Sequence, residues 1–249
     1  MPVIAHRRTS RRRAVSIVSF SGIDGAGKST QISLLEDWLR KSGQRTGLLS
    51  LWDDVVVCSH GREFMSNKAF KGDRGIGSPD KPLHRRDKNV NSLPVTMARC
   101  LLYFADALSL RRRIAKAGAS DCDVVIFDRY IYDELANLPL QRLAARVFAW
   151  IVLRITPVPT LALVIDAAHD EAHARKPEYP LDFVERNRQA YFAIADLAGH
   201  ITVIPPGSIT AVESRIRHEV SLRLPRTGGD LPPMIHSAAN ISSPELIES

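Results

Sequence analysis

The stretch Gly22-Ile23-Asp24-Gly25-Ala26-Gly27-Lys28-Ser29 matches Gly-x-x-x-x-Gly-Lys-Ser, and its flanks have the order that a phosphate cradle requires. Upstream, Ala14 to Ser21 is an apolar run about as long as a strand. Downstream, Thr30 to Arg40 places Ile32, Leu35, Trp38 and Leu39 on one helical face. Between such a strand and such a helix, Gly22, Gly25 and Gly27 let the backbone turn successive N–H groups inward onto phosphate oxygens. Lys28 adds a point charge for the outer phosphates, Ser29 offers a hydroxyl to Mg²⁺, and the helix beginning beside Thr30 presents the positive end of its dipole. Gly22, Gly25, Ala26, Gly27, Lys28, Ser29 and Thr30 are therefore expected to hold the phosphates of a nucleotide.

Working outward, strands and helices alternate. Thr46 to Trp52 reads as a second buried strand, closed by Asp53 and Asp54. Leu93 to Ala117 is a long helix stopped by Gly118, with Leu101, Phe104, Ala105 and Leu108 on one face. Asp123 to Asp128 is a hydrophobic strand ending in a carboxylate. Pro139 opens an amphipathic helix whose apolar positions run Leu140, Leu143, Ala144, Val147, Phe148, Ile151, Val152 and Ile155, a stripe suited to a core or to a second copy of the chain. Thr160 to Asp166 and His200 to Pro205 supply two more strands. Helices over Leu181 to Ala198 and from Ser208 or Thr210 to Leu224 complete the pattern. The alternation predicts an α/β fold: a five-stranded parallel sheet, helices on both faces, and ligands at the carboxyl ends of the strands. Gly22 to Ser29, Asp53, Asp128 and Asp166 fall on that rim.

With 249 residues, 45% of them hydrophobic, the chain can bury one full core. No segment reaches the ~18 apolar residues of a membrane span, and a signal peptide is not expected, because the apolar run after the N-terminal arginines flows straight into the glycine loop. Cys58, Cys100 and Cys122 are widely spaced with no Cys-x-x-Cys pair, which suits reduced thiols in a cytoplasmic protein. The net charge of +7 is mostly one tail, since Arg7, Arg8, Arg11, Arg12 and Arg13 stand there without an acid. Residues 1–13 are thus expected to form a disordered basic tail, 14–224 the folded domain, and 225–249 a second disordered tail. Nucleic acid is not an expected partner beyond what the basic tail attracts. Residues 59–92 read as a loop or insertion and 167–180 as a polar lid.

Phe20 to Gln31 together with Asp128-Arg129-Tyr130 resembles the thymidylate kinase family of P-loop nucleoside-monophosphate kinases. Arg175-Lys176, Phe183 to Arg188 and Tyr191 resemble its lid and following helix, and Leu101 to Ala105 is similar to the helix whose aromatic residue stacks on the acceptor base. The resemblance implies a three-layer P-loop NTPase sandwich, ATP and Mg²⁺ as cofactors, and transfer of the γ-phosphate to dTMP or a related monophosphate. Residue by residue, it implies that Asp24 lies near the acceptor sugar and Mg²⁺. Arg129 grips the acceptor phosphate, and Phe104, or Tyr103 if the register shifts by one, stacks on the base. Asp53 falls on the acceptor side, Ser29 and Asp128 hold the metal, and Lys28, Arg175 and Lys176 meet the transferring charge. A homodimer through helices is also implied.

Two departures bear on the acceptor. The family's Arg-Glu-Pro-Gly type segment is replaced by Trp52-Asp53-Asp54-Val55, and its thymine-reading arginine by Leu108, or by Ala107 in the shifted register. The basic stretch Lys68 to Lys88 is a candidate for a different acceptor pocket. Two alternatives follow from the residues: a kinase of the same fold acting on another small metabolite, and a non-catalytic P-loop nucleotide-binding protein. Asp128-Arg129 could instead be a structural ion pair.

Overall fold

A computed structural model describes residues 15–57, 93–118 and 121–225. The expectations for 1–13, for 59–92 with its Lys68 to Lys88 stretch, for Cys58 and for the chain after Pro225 lie outside them. Five strands, β1 (Ser16–Ser21), β2 (Thr46–Ser50), β3 (Val124–Asp128), β4 (Leu161–Ile165) and β5 (Ile201–Ile204), form one parallel sheet in the order β2-β3-β1-β4-β5. Parallel pairing demands crossovers, and the helices supply them: α1 (Lys28–Lys41), α2 (Leu93–Ala117), α3 (Ile131–Leu135), α4 (Leu143–Ile155), α5 (His169–Arg175), α6 (Leu181–Ala198) and α7 (Ile209–Arg223). The expected class, a helix-covered five-stranded parallel sheet, is what forms.

Alternation along β3 shows how the core divides. Val124 and Ile126 join Leu35, Leu39, Ile216 and Val220 of α1 and α7 on one face. Val125 and Phe127 join Ala107, Leu110, Ala149 and Val152 of α2 and α4 on the other. Both faces are covered, so the sheet's ends are its open surfaces. Ser208 caps α7, its hydroxyl accepting from the Ala211 N–H at 3.3 Å.

One local expectation is corrected, and two helices divide their apolar residues between faces. The second strand ends at Ser50, and Leu51–Val55 makes a single π-helical turn instead of continuing to Trp52. The Asp54 carboxylate accepts from the Ser50 N–H at 2.8 Å, which pulls the chain out of extended geometry at that point. In α2, Leu101, Phe104 and Leu108 do share a face, but it is the exposed one, and Tyr103, Asp106, Ala107 and Leu110 are buried. In α4 likewise Leu143, Val147 and Ile151 are exposed, whereas Ala145, Ala149, Val152 and Leu153 pack inward. The short helices α3 and α5 were not read from periodicity, because one or two turns give too few positions to show it. Among the described residues no helix is long and apolar enough to cross a membrane.

Candidate active site

The glycine loop leaves β1 at the carboxyl end of the central strand. Gly25 and Gly27 adopt left-handed φ of 84° and 85°, and Gly22 has φ 136°. A Cβ on Gly22 would lie 2.4 Å from the carbonyl oxygen of Ile165 at the end of β4, so glycine is demanded there by packing as well as by dihedral. Gly27 is the N-cap of α1 and has no side-chain cap, which leaves the first N–H groups of the helix for an anion. Ser29 and Thr30, on the first turn, are exposed.

Lys28 is buried under this loop and its Nζ donates to the carbonyls of Gly22 and Ile23, each at 2.8 Å. Burial first, and the nearby Arg129 guanidinium second, lower its pKa to about 8, against the upward pull of Asp24, Asp133 and Asp128. An ammonium so poorly solvated gains strongly from a phosphate dianion.

Arg129 ends β3. It has φ 68°, the only positive value at a non-glycine residue among the described residues, so the strand stops and the chain turns over the loop. Its Nη2 donates to Asp24 of the glycine loop and its Nη1 to Oδ1 of Asp133 at 2.9 Å. Burial opposes the charge, but Asp24, Asp133 and Asp128 outweigh it and hold the guanidinium protonated. Asp133 sits in the first turn of α3, and its Oδ2 accepts from the Tyr130 N–H at 3.1 Å. Its Oδ1 also accepts from the Tyr191 hydroxyl of α6 at 2.8 Å. Burial, with Asp133 beside it, raises the Tyr191 pKa well above that of a free phenol. Asp133 was not singled out from the sequence. The available signal was its place four residues after Arg129 and three after Tyr130, the spacing of an acid at N3 of a helix.

The remaining expected residues are placed as follows. Asp128 is half-buried at the end of β3, and its charge reaches both Lys28 and Arg129. Ser29 offers a hydroxyl and Asp128 a carboxylate, oxygen donors of the kind that Mg²⁺ takes. Asp166 is committed to Arg188 of α6 through two bonds of 2.6 and 2.7 Å. The lid expected over 167–180 contains α5, which lies on the loop: a Cβ on Gly25 would come 2.2 Å from the Ala172 carbonyl oxygen. Arg175 and Lys176, however, pair with Glu171 and Glu178 along their own segment. Asp53 is exposed on the π-helical turn that follows β2. Of the two stacking candidates, Tyr103 is 6% exposed on the inward face of α2 and Phe104 is 41% exposed on the outward face.

No protein-family model matches the chain. It is 27% identical over 207 residues to a probable thymidylate kinase of Methanothermobacter thermautotrophicus, a match covering 80% of this chain and 91% of the relative. With a probable thymidylate kinase of Methanosphaera stadtmanae it shares 25% over 209 residues, covering 82% and 94%. In three dimensions it matches the thymidylate kinase of Candida albicans with a TM-score of 0.57 at 17% identity, covering 84% of this chain and 92% of that one, which shows a common fold. Sequence and fold thus carry the same likeness along most of the chain.

Proposed function

We propose that this thymidylate kinase-like chain is an ATP-dependent nucleoside-monophosphate kinase, a phosphotransferase that moves the γ-phosphate of ATP onto the phosphate of dTMP or a related monophosphate. The observation that carries the reading is the pair of cations on one sheet rim, Lys28 inside the glycine loop and Arg129 against Asp24 of that same loop. Transfer between two phosphates needs little covalent work from a protein, only charge neutralised and two oxygens brought in line.

The loop N–H groups and Lys28 hold the donor phosphates, Lys28 leaving the Gly22 and Ile23 carbonyls for them. Ser29 and Asp128 would hold Mg²⁺, which when bound neutralises charge on the donor phosphates. The acceptor phosphate takes the Nη2 edge of Arg129 in exchange for Asp24, and the freed Asp24 carboxylate turns to the acceptor sugar. Phe104 or Tyr103 stacks on the base, and we assign the role to Tyr103 because Phe104 faces outward from α2. Arg175 and Lys176 exchange Glu171 and Glu178 for the transferring phosphate when α5 adjusts over the nucleotide. Ribose and base stay open to discrimination by other groups, because Leu108 is exposed and Ala107 buried where the family's thymine-reading arginine would stand.

ADP release measured across dTMP, dUMP, UMP, CMP and AMP tests the reading. Turnover with at least one acceptor is expected, and silence with all of them rejects it. The π-helical turn at Leu51–Val55 supports a second reading, a different small phosphorylated acceptor, which activity confined to dTMP would reject.

A homodimer through α2 and α4 is part of the proposal. Met97, Leu101, Phe104 and Leu108 on α2, and Leu143, Val147, Trp150 and Ile151 on α4, are all exposed. The Arg111 guanidinium donates to the Ile155 carbonyl at 2.7 Å, tying the carboxyl-terminal halves of the two helices together, which supports their joint use as one apolar face. Leu101→Glu combined with Val147→Glu is expected to halve the mass seen by sedimentation; an unchanged mass, or a monomeric wild type, rejects the dimer. Free thiols at Cys100 and Cys122 support a cytoplasmic location.

A further inference from the structure

We infer that Asp133 is the positioning residue of the acceptor site, fixing Arg129 so that one edge of its guanidinium stays turned to the glycine loop. The inference rests on the kinase reading for its consequence, but its geometry stands apart from it. One carboxylate performs three tasks. Its Oδ2 closes the first turn of α3 through the Tyr130 N–H, while Oδ1 receives both Arg129 Nη1 at 2.9 Å and the Tyr191 hydroxyl at 2.8 Å. The side chain is 1% exposed, so water does not compete for these bonds. The Asn137 amide donates to the Asp133 main-chain carbonyl at 2.9 Å and holds the turn from its other end.

The arrangement divides the guanidinium in two. Nη1 is committed to a buried acceptor on a helix, whereas Nη2 meets Asp24, which belongs to the glycine loop and is the partner a phosphate can replace. A planar fork anchored at one edge loses less freedom when the other edge captures an anion. Asp133 touches no substrate in this scheme and acts only through Arg129.

The test uses Asp133→Asn, which keeps the shape and removes the charge, and Tyr191→Phe, which removes one donor to the same oxygen and is the milder change if the first variant does not fold. Arginine side-chain ¹⁵N spectra of the apo protein come first. Slow rotation of the Arg129 guanidinium is expected in the wild type, with averaging in either variant; identical spectra overturn the inference whatever the reaction is. Kinetics come second, on wild type and variants at saturating ATP. A 10- to 100-fold loss of kcat/KM for the monophosphate is expected in Asp133→Asn and a smaller loss in Tyr191→Phe, with the Kd for ATP within twofold of wild type. Equal losses toward donor and acceptor, or an unchanged acceptor KM and kcat, overturn it. A wild type that transfers phosphate to no acceptor sinks the kinase reading instead, and the spectra still decide the role of Asp133.

Discussion

Replacing Arg129 by alanine is expected to reduce turnover on the order of 10³-fold and to destabilise the apo protein by about 3–5 kcal/mol. The two losses have different origins. Turnover falls because the other guanidinium at the rim, that of Arg188, is already paired with Asp166, and an ammonium in place of Arg129 could not copy the fork. Stability falls because the substitution leaves Asp133, 1% exposed, and Asp24 without the cation that offsets their burial. The backbone provides an internal control. Arg129 holds φ 68°, a conformation that costs any residue with a Cβ roughly 1 kcal/mol, so Arg129→Gly should recover about that much relative to Arg129→Ala while remaining equally inactive. Chemical denaturation and steady-state kinetics on the two variants measure both effects. A fully active alanine variant would remove Arg129 from the acceptor site, and a stable one would show that the two carboxylates are solvated on their own.

The Lys28→Met variant carries the second large effect. Loss of the loop's point charge is expected to cut turnover on the order of 10²–10³-fold, as for removal of one preorganised donor to developing charge. The apo protein should respond in the opposite sense at neutral pH. Lys28 titrates at 10.5 in the unfolded chain and at about 8 when folded. Between these values the unfolded chain holds a proton that the folded one has released, so this group makes wild-type stability rise with pH across pH 8 to 10.5, and below pH 8 its burial penalty is fully present. The penalty is at most about 3 kcal/mol by the usual conversion of a pKa shift. Relative to wild type, the methionine variant is therefore expected to lose its advantage as pH is raised through that window. Tyr191, whose ionisation burial displaces well above the ordinary phenol value, lowers the stability of both proteins alike as the unfolded chain ionises, and so cancels in their difference. Urea denaturation of both proteins at pH 7 and pH 10, without nucleotide, measures the difference; a difference independent of pH would show that Lys28 is not desolvated in the apo state. With nucleotide bound the sign reverses, since the phosphates favour the ammonium.

The contrast between Arg129 and Asp133 marks how far the chain could be read by eye. Arg129 stands beside the last residue of a hydrophobic strand, and strand ends in a parallel sheet converge on one rim, so its place follows from local pattern plus one topological rule. Asp133 looks like any acid in the first turn of a helix. What distinguishes it is Tyr191, 58 positions away and brought to it by α6, and no local pattern encodes that meeting. The same holds for Ala172, whose carbonyl lies against Gly25 only because α5 settles over the loop.

The glycine loop with Lys28 as its cation, the alternation that forces a parallel sheet, and the limits of α2 and α6 were legible in the chain alone, because each depends on spacing within a few turns. Tertiary structure decided which side of α2 and α4 is core. Both helices are apolar on more than one face, so their periodicity fixes a spacing but not a direction. Leu51, Val55 and Phe127 select the side bearing Tyr103 and Leu110, and the opposite stripe is left at the surface. Tertiary structure also decided that Arg129 is held between a loop carboxylate and a helix carboxylate, since a buried guanidinium is stable only where the fold delivers acceptors to both of its edges.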